Sequence, residues 1–312
     1  MMNYYIGVDG GGTKTQYALF DENKVMLSTA TTTGSNHENL EGGIPEAAGI
    51  IMDGIEEILL DNALRQRDVT HILMALAGID HQYQCDEMTA ELKKLGLNVR
   101  FSIYNDGFIV VKAGAKNKSA IGYNCGTGTC CNSVDDDGNL LQIGGFGDLS
   151  GDVGGGHWIA RETFRLIYDD VCLDAMPTSC TQKAVEMLGI KPERDSVLSL
   201  IPRLEAAEDK LIRDMIDIFF AALNEGDAAA VSLCEKMALR GAQFIAAHIK
   251  KQHFEADEVE VVLSGSIHIK LPSEVYIDML HAKAESLSGK KLKFVKLTVP
   301  PVTGCINWML EK

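Results

Sequence analysis

The chain has 312 residues, 46% of them hydrophobic and 23% charged, with a formal net charge of −15. These values are typical of a soluble globular protein with two domains, and the negative charge argues against nucleic acid or an anionic membrane as a partner. Its eight cysteines form no CxxC pair, and the N-terminus has neither a basic segment nor a long apolar one. We therefore expect reduced thiols, no membrane span and a cytoplasmic protein.

The first predicted element is a β-hairpin near the N-terminus. Apolar strands over residues 4–9 and 15–20 flank a glycine-rich tip. The tip comprises Gly10, Gly11, Gly12, Thr13 and Lys14. Glycine N–H groups are not shielded by a Cβ atom, so a tip of this kind can surround an anion. An ordinary glycine-rich turn is the alternative.

The next ninety residues alternate between helix and strand. The pattern predicts strands over residues 25–33, 72–77 and 99–104, and helices over residues 40–64 and 86–95. The last of these strands ends at Asn105 and Asp106. A three-strand meander followed by alternating helices and strands indicates an α/β domain with a mixed sheet.

The same order then begins again. Predicted strands over residues 119–124, 130–134 and 140–143 contain a second Gly/Thr tip and an acidic turn, in the order of the first hairpin. The second tip comprises Gly126, Thr127, Gly128 and Thr129. Repetition of the whole unit indicates duplication of a domain.

The remaining residues begin with a glycine-rich segment, 144–156, in which bulky apolar residues interrupt the glycines, unlike in a flexible linker. A helical region follows over residues 162–253, with predicted breaks at Pro177, Pro192, Pro202 and Gly226. The pattern ends with strands over 259–263 and 293–297 and a helix over 303–310, with Ser264, Gly265 and Ser266 directly after the first of these strands.

Together, the two hairpins, the strand end at Asp106, the loop 144–152 and the Ser-Gly-Ser segment resemble the actin/hexokinase/Hsp70 superfamily. Within it, the chain is similar to the branch of N-acetylglucosamine kinases and BadF/BadG-type ATPases. The resemblance implies an α/β fold of duplicated actin-like (ribonuclease H-like) domains, with mixed five-stranded sheets flanked by helices and an interdomain cleft. The implied domains are residues 1–116, completed by the helix 303–312, and residues 117–302, which carry a helical insertion.

The resemblance also implies an ATP site. The two Gly/Thr tips would hold the β- and γ-phosphates, and Gly265 with Ser266 would contact the adenosine. Asp9 would face Mg²⁺ through water, since Mg²⁺ keeps several waters beside one or two carboxylates and phosphate oxygens. A turn-initiating Asp is the alternative for Asp9, and a plain turn for Gly265.

Asp106 is the expected catalytic residue, a general base for phosphoryl transfer to a sugar hydroxyl. Its alternative role is that of a helix N-cap. For the sugar, the resemblance implies contacts from Asn36, Asp106, Thr127, Gly145, Phe146 and Asp152. Asp152 could instead be part of a plain loop turn, and Ser35, His37 and Asp148 are weaker candidates.

The resemblance therefore implies an ATP-dependent kinase acting on the primary (C6) hydroxyl of an amino sugar. N-Acetylglucosamine, glucosamine and N-acetylmuramic acid all remain open, because Phe146, Val153 and Cys130 depart from the pattern of the family. One alternative is a BadF-type activator with an iron–sulfur cluster, suggested by Cys125. Another is a non-catalytic sugar sensor. A homodimer is expected from the family only.

Overall fold

The computed structural model describes residues 3–270 and 274–311. The chain folds into two compact units: unit 1 comprises Met1–Lys118 and Leu297–Lys312, and unit 2 comprises Ser119–Lys296. Each contains one five-stranded mixed sheet with helices packed on it. The prediction of two mixed five-stranded sheets flanked by helices is confirmed, whereas the domain boundaries and the cleft between the domains stay predictions.

The sheet of unit 1 has the order β3-β2-β1-β4-β5. Its strands are β1 (Tyr4–Gly10), β2 (Lys14–Asp21), β3 (Met26–Thr33), β4 (Val69–Leu76) and β5 (Phe101–Asn105). Strands β1 to β3 form an antiparallel meander, and β4 and β5 run parallel to β1. The carboxyl ends of β1, β4 and β5 therefore meet at one edge of the sheet.

Successive side chains along each strand point to opposite faces of the sheet, and in unit 1 helices pack on both faces. The helices of unit 1 are α1 (Gly43–Asp61), α2 (Gln82–Lys94), α3 (Gly107–Gly114) and α12 (Thr303–Met309). Tyr17 and Leu19 of β2 pack in the core beneath α1 and α2. Ala18 and Phe20 lie on the opposite face, in a core shared with α3 and α12. Burial on both faces accounts for the continuous apolar run at the end of the inner strand β4, residues 72–76.

Unit 2 repeats the topology with the sheet order β10-β9-β6-β7-β8. Its strands are β6 (Ala120–Cys125), β7 (Thr129–Val134), β8 (Leu140–Ile143), β9 (Glu258–Ser264) and β10 (Lys291–Lys296). Its helices are α4 (Gly156–Leu173), α5 (Ser179–Leu188), α6 (Arg194–Leu198), α7 (Ile201–Glu205), α8 (Asp209–Asn224), α9 (Ala228–Lys251), α10 (Ser266–Ile269) and α11 (Glu274–Ser288). Residues of α4, α8 and α9 form the largest part of its core.

Three details differ from the sequence prediction. The sequence predicted neither α3 nor α11, because α3 is only two turns long and the weakly periodic stretch before β10 was not assigned. Pro202 lies in the first turn of α7, where its missing N–H costs no helical hydrogen bond, so it does not break a helix. Helix α1 begins at Gly43 rather than near Leu40, after a single 3₁₀ turn over His37–Asn39.

Candidate functional site

The first hairpin tip is closed by one hydrogen bond, from Gly11 N to Lys14 O (3.0 Å). Gly12, Thr13 and Lys14 are exposed. Within residues 3–270 and 274–311, the N–H groups of Gly12 and Thr13 donate no hydrogen bond. Two neighbouring free donors beside a lysine form a concavity that suits a phosphate group.

A second segment holds this tip in place from one side. The N–H groups of Ser35 and Asn36 donate to Gly11 O (3.0 and 3.2 Å). A Cβ atom at Gly34 would overlap the carbonyl group of Gly12, so only glycine permits this approach of the two backbones. The backbone of the tip is therefore preorganised.

Asp9 and Asp106 lie at the carboxyl ends of β1 and β5, and their charges interact. Burial raises the pKa of Asp9 to about 6, although the charge of Lys14 opposes the shift. Burial, and then the charges of Asp9 and Asp80, raises the pKa of Asp106 to about 7. The edge of the sheet thus concentrates carboxylates whose negative charge is poorly compensated, which is the environment that favours a divalent cation or a proton acceptor.

Asp106 occupies the N-cap position of α3, yet its side chain makes no capping hydrogen bond. The neighbouring Asn105 takes that role, since its Oδ1 accepts from Gly107 N (2.9 Å). The side-chain cap considered as the alternative role of Asp106 is therefore made by Asn105 instead.

Two further residues at this edge, Asn105 and Asp80, were not predicted from the sequence to be part of the site. Asn105 is buried, and its Nδ2 donates to Asp80 Oδ1 (2.9 Å). Asp80 follows β4 closely, much as Asp106 follows β5. A carboxylate just after the carboxyl end of a parallel strand is the signal that could have identified it, because ligands of open α/β sheets bind at that edge.

Asn36 approaches the same edge from the loop after β3. Its Oδ1 accepts from Glu38 N (3.0 Å) and lies against Gly78, directly after β4. The Nδ2 of Asn36 donates to no group of the described residues. Unit 1 thus brings Asn36, Asp9 and Asp106 to the edge of the sheet that carries the hairpin tip.

The second hairpin tip, in unit 2, closes with a hydrogen bond from Gly126 N to Gly128 O (2.9 Å). It is held by the start of α4, because Gly156 N donates to Gly126 O (2.8 Å) and Gly155 packs against Gly128. Thr127 and Gly128 are exposed. A Cβ atom at Gly126 or Gly128 would meet nothing within 4 Å, so these two glycines are not required by the fold around them.

A cavity of about 600 Å³ adjoins this second tip. It is lined by Thr127, Gly128, Thr129, Gly145, Gly147, Asp148, Gly151, Asp152, Val153, Gly155, His157, Trp158, Arg161, Glu162, Arg165 and Lys236. Two buried polar atoms of its lining, Thr129 Oγ1 and Asp152 Oδ1, have no hydrogen-bond partner among the described residues. Such atoms are costly unless a ligand or water satisfies them.

Asp152 also shapes the loop around this cavity. Its Oδ2 accepts from Gly145 N and Gly147 N, both at 2.8 Å. Asp152 therefore has the turn-forming role that the sequence left open, and its free Oδ1 leaves a sugar contact open as well. Phe146 is 46% exposed and does not line the cavity, although its neighbours do.

One basic residue of the cavity lining, Lys236, was not predicted from the sequence. Lys236 Nζ lies 5.4 Å from the centre of the Trp158 ring and 3.7 Å from Glu162 Oε2. Lys236 belongs to α9, far along the chain from the loop, and no local motif marks it. The sequence pattern identified Trp158 only as part of a helix start.

The fold itself requires glycine at position 265. Its φ is +84°, and a Cβ atom there would overlap the carbonyl group of Cys125. The glycine and Ser266 thus lie beside the base of the second tip, at the start of α10.

Cys125 is buried, and burial raises the pKa of its thiol to about 12. Among the described residues, no three His, Cys, Asp or Glu side chains converge into a group able to hold a metal ion on their own. The described helices include none with both the length and the apolar character of a membrane span.

Comparison with known proteins gives two curated relatives. An N-acetyl-D-glucosamine kinase from Dictyostelium discoideum is 28% identical over 202 residues, which cover 62% of this chain and 63% of that protein. An N-acetylmuramic acid/N-acetylglucosamine kinase from Clostridium acetobutylicum is 24% identical over 242 residues, covering 76% of each. The chain thus spans about three fifths to three quarters of the length of these relatives.

Solved structures with much lower identity share the fold. A proposed N-acetylglucosamine kinase from Chromobacterium violaceum matches with a TM-score of 0.70 at 18% identity, over 99% of each chain. A ROK family glucokinase from Streptomyces griseus, crystallised with glucose and AMPPNP, matches with a TM-score of 0.55 at 14% identity, over 98% of this chain and 97% of that one. The fold is therefore that of sugar kinases with actin-like domains.

A model of one protein family spans almost the whole chain. It matches residues 6–285 of the 312, from β1 into α11. The matched range includes both hairpin tips, Asp106 and Asp152. The chain therefore belongs to the BadF/BadG/BcrA/BcrD ATPase family.

Proposed function

We propose that the protein is an ATP-dependent amino-sugar kinase, which transfers the γ-phosphate of ATP to the primary (C6) hydroxyl of N-acetylglucosamine or a related amino sugar. Membership of an ATPase family and the names of the two curated relatives support this assignment. The observation that carries it is the Asp106 carboxylate, which begins a helix without capping it. N-Acetylmuramic acid and glucosamine are the other candidate substrates.

Asp106 is the proposed general base. Burial together with the charges of Asp9 and Asp80 raises its pKa to about 7, so it becomes a better proton acceptor than an ordinary carboxylate while remaining partly ionised at neutral pH. It would take the proton of the attacking sugar hydroxyl as the oxygen bonds to phosphorus. Asn105 would position Asp106 by accepting a hydrogen bond from Gly107 N at the start of α3. Asp80 would hold Asn105 in place by accepting from its Nδ2.

The two Gly/Thr tips are the proposed phosphate cradle. In unit 1 the free N–H groups of Gly12 and Thr13, together with Gly10, Gly11 and Lys14, would bind phosphate oxygens. In unit 2, Gly126, Thr127, Gly128 and Thr129 would do the same, with the unsatisfied Thr129 Oγ1 as an additional group. Gly265 and Ser266 are the proposed contacts to adenosine.

The residues present fit a magnesium ion. Asp9 lies beside Asp106 in a site where buried carboxylates lack compensating charge, and Mg²⁺ is held in proteins by one or two carboxylates with waters and phosphate oxygens. Asp9 would hold the ion through water. When bound, the ion would supply charge neutralisation on the transferring phosphate.

The sugar would be held by polar groups that the structure leaves unsatisfied. Asn36 offers its free Nδ2, and Asp152 offers its buried Oδ1 to a sugar hydroxyl. Thr127 and Gly145 line the cavity of unit 2 together with Asp152. Phe146, which is exposed next to that cavity rather than in its lining, is the proposed aromatic contact of the sugar ring. A homodimer remains a prediction.

An assay of ATP-dependent phosphorylation across hexoses, amino sugars and N-acyl amino sugars tests this proposal, with ³¹P NMR to locate the phosphate in the product. We expect N-acetylglucosamine or another amino sugar to be turned over best, with phosphate at C6. Phosphorylation at the anomeric hydroxyl, or equal turnover of plain hexoses, would contradict it. Iron in the purified protein would instead favour the cluster-carrying activators of the family.

A further inference from the structure

Unit 1 has a groove of its own, at the edge of its sheet opposite the hairpin tip. The groove has a volume of about 540 Å³. It is lined by Arg65, Gln66, Arg67, Val69, Gly96, Asn98, Val99 and Arg100. Val69 is the first residue of β4, and the other lining residues precede β4 or β5, whereas Asp80 and Asp106 follow the same strands. The two edges lie roughly 23 Å apart along β4, at about 3.3 Å per residue.

The charge of this groove is unusual for the chain. Unit 1 contains three arginines in all, and all three line the groove. The chain as a whole carries a net charge of −15, yet no acidic residue contributes to the lining. Three guanidinium groups around one groove repel each other unless an anion joins them.

None of these three arginines forms an ion pair with a carboxylate of residues 3–270 or 274–311. The nearest acid in the sequence, Asp68, accepts a hydrogen bond from the backbone N–H of Arg65 (2.9 Å). The other cations near this edge, Lys93 and Lys94, lie in the last turn of α2, and Lys94 is paired with Glu91. The guanidinium groups of the groove are therefore available to a ligand.

The walls of the groove are also linked to each other. Asn98 N donates to Gln66 Oε1 (2.9 Å), which ties the turn before β4 to the turn before β5. Asn98 Nδ2 donates to Gly96 O (2.9 Å). Gln66 Nε2 and Asn98 Oδ1 make no hydrogen bond to the part of the chain that the structure describes, and they are one donor and one acceptor of the kind that bind hydroxyl groups.

We propose that this groove binds a small sugar phosphate, with the phosphate between Arg65, Arg67 and Arg100 and the hydroxyls on Gln66 and Asn98. The planar guanidinium fork matches phosphate oxygens in pairs. A volume of this size suits a whole small molecule rather than a lone phosphate ion. A sugar phosphate is also the product class of the proposed kinase; reading the groove as a sensor of product rests on that function, whereas binding itself does not.

Calorimetric titration with glucose 6-phosphate tests the proposal, at constant ionic strength and without nucleotide, with inorganic phosphate and glucose as separate probes. The triple variant R65Q/R67Q/R100Q is expected to lose at least tenfold in affinity for glucose 6-phosphate. R194Q is the matched control, because Arg194 is an exposed arginine outside the groove, paired with Asp195. It should bind as the wild type does.

Hydrogen–deuterium exchange then locates the ligand. Glucose 6-phosphate should protect peptides covering residues 65–69 and 96–100 in the wild type and in R194Q, but not in the triple variant. Unchanged affinity in the triple variant, or protection confined to the two hairpin tips, would overturn the proposal. Inorganic phosphate binding as tightly as glucose 6-phosphate would overturn the assignment to a sugar phosphate. The triple lysine variant keeps the charge and serves if the glutamine variant does not fold; it should bind more weakly than the wild type.

Discussion

The two units share one topology but differ in the chemistry of equivalent positions. Asp9 of unit 1 and Asn124 of unit 2 each stand one residue pair before the pair that closes the hairpin tip. In unit 1 the neighbouring strand leads to Asp80, whereas in unit 2 it ends at Ser264, whose Oγ donates to Asn124 Oδ1 (2.9 Å). One edge is therefore acidic and the other neutral. The same fold thus places carboxylates after the strands at one edge and an amide with a hydroxyl at the equivalent positions of the other, which illustrates that function resides in the site rather than in the fold.

The largest effect should follow removal of the charge at Asp106. Asp106→Asn is expected to lower kcat by about 10²- to 10⁴-fold, because a general base contributes an effect of that size. Sugar affinity, measured by calorimetry, should change little. The reciprocal variant Asn124→Asp should not restore turnover in the Asp106→Asn background, since the neutral edge is not expected to face the sugar hydroxyl. Near-normal turnover of Asp106→Asn would contradict the proposed role of Asp106 and, with it, the proposed functional difference between the two units.

Glycines that serve a ligand should differ from glycines that serve the fold. Gly128→Ala adds a methyl group to open space, so we expect an increase of about tenfold in KM for ATP with an unchanged Tm. Gly265→Ala forces a residue with φ of +84° against the Cys125 carbonyl, and should lower the free energy of unfolding by about 1–3 kcal/mol. Chemical denaturation and initial-rate kinetics measure both. If Gly128→Ala binds ATP normally, the second tip is an ordinary turn.

Asp80 should have a moderate, indirect effect. Asp80→Ala removes the acceptor of Asn105 Nδ2 and one of the charges that raise the pKa of Asp106. We expect kcat to fall about tenfold, KM for ATP to hold, and the acidic limb of the pH–rate profile to move to lower pH. Asp86→Ala is the matched control, because Asp86 is exposed on α2. A pH profile that does not move would mean that Asp80 acts on the fold alone.

The smallest effect concerns stability in the absence of nucleotide and magnesium. The pKa of Asp106 is raised from its ordinary value of 3.8 to about 7 in the folded protein. Between these two pH values the folded protein keeps a proton on this carboxyl group, whereas the unfolded chain has released it. Asp106 therefore favours folding below about pH 4 relative to higher pH, and this contribution is lost as the pH rises through about 7. Asp106→Asn should raise Tm over the wild type at pH 8 and much less at pH 4.5. A Tm difference independent of pH would contradict the raised pKa, and Asp53→Asn on the exposed face of α1 serves as the control.

Much of this fold was predictable because its signals are local. Alternation and glycine-rich tips located every strand of both sheets to within a few residues, and the repeat after residue 119 predicted the second sheet. The short helix α3 was not predictable from periodicity, because two turns provide too few positions. Helix α11 was missed because its apolar positions are sparse between the polar ones.

The site was predictable only where a residue adjoins a recognisable turn. Asp9, Asn36 and Asp106 adjoin strand ends, which made them candidates from the sequence. Asn105 was noted as a strand end, but its capping role emerges only when side-chain hydrogen bonds are known. Lys236 comes from a helix 80 residues beyond the loop it joins, so packing rather than sequence brings it to the cavity.

In the proposed kinase, phosphate passes to a sugar rather than to water. This is tested by measuring the ADP released by the purified wild-type protein with and without N-acetylglucosamine, together with the amount of sugar phosphate formed. We expect ADP release to require the sugar, with one sugar phosphate for each ADP. Equal ADP release in the absence of any sugar would contradict it and would identify an ATPase of the same family.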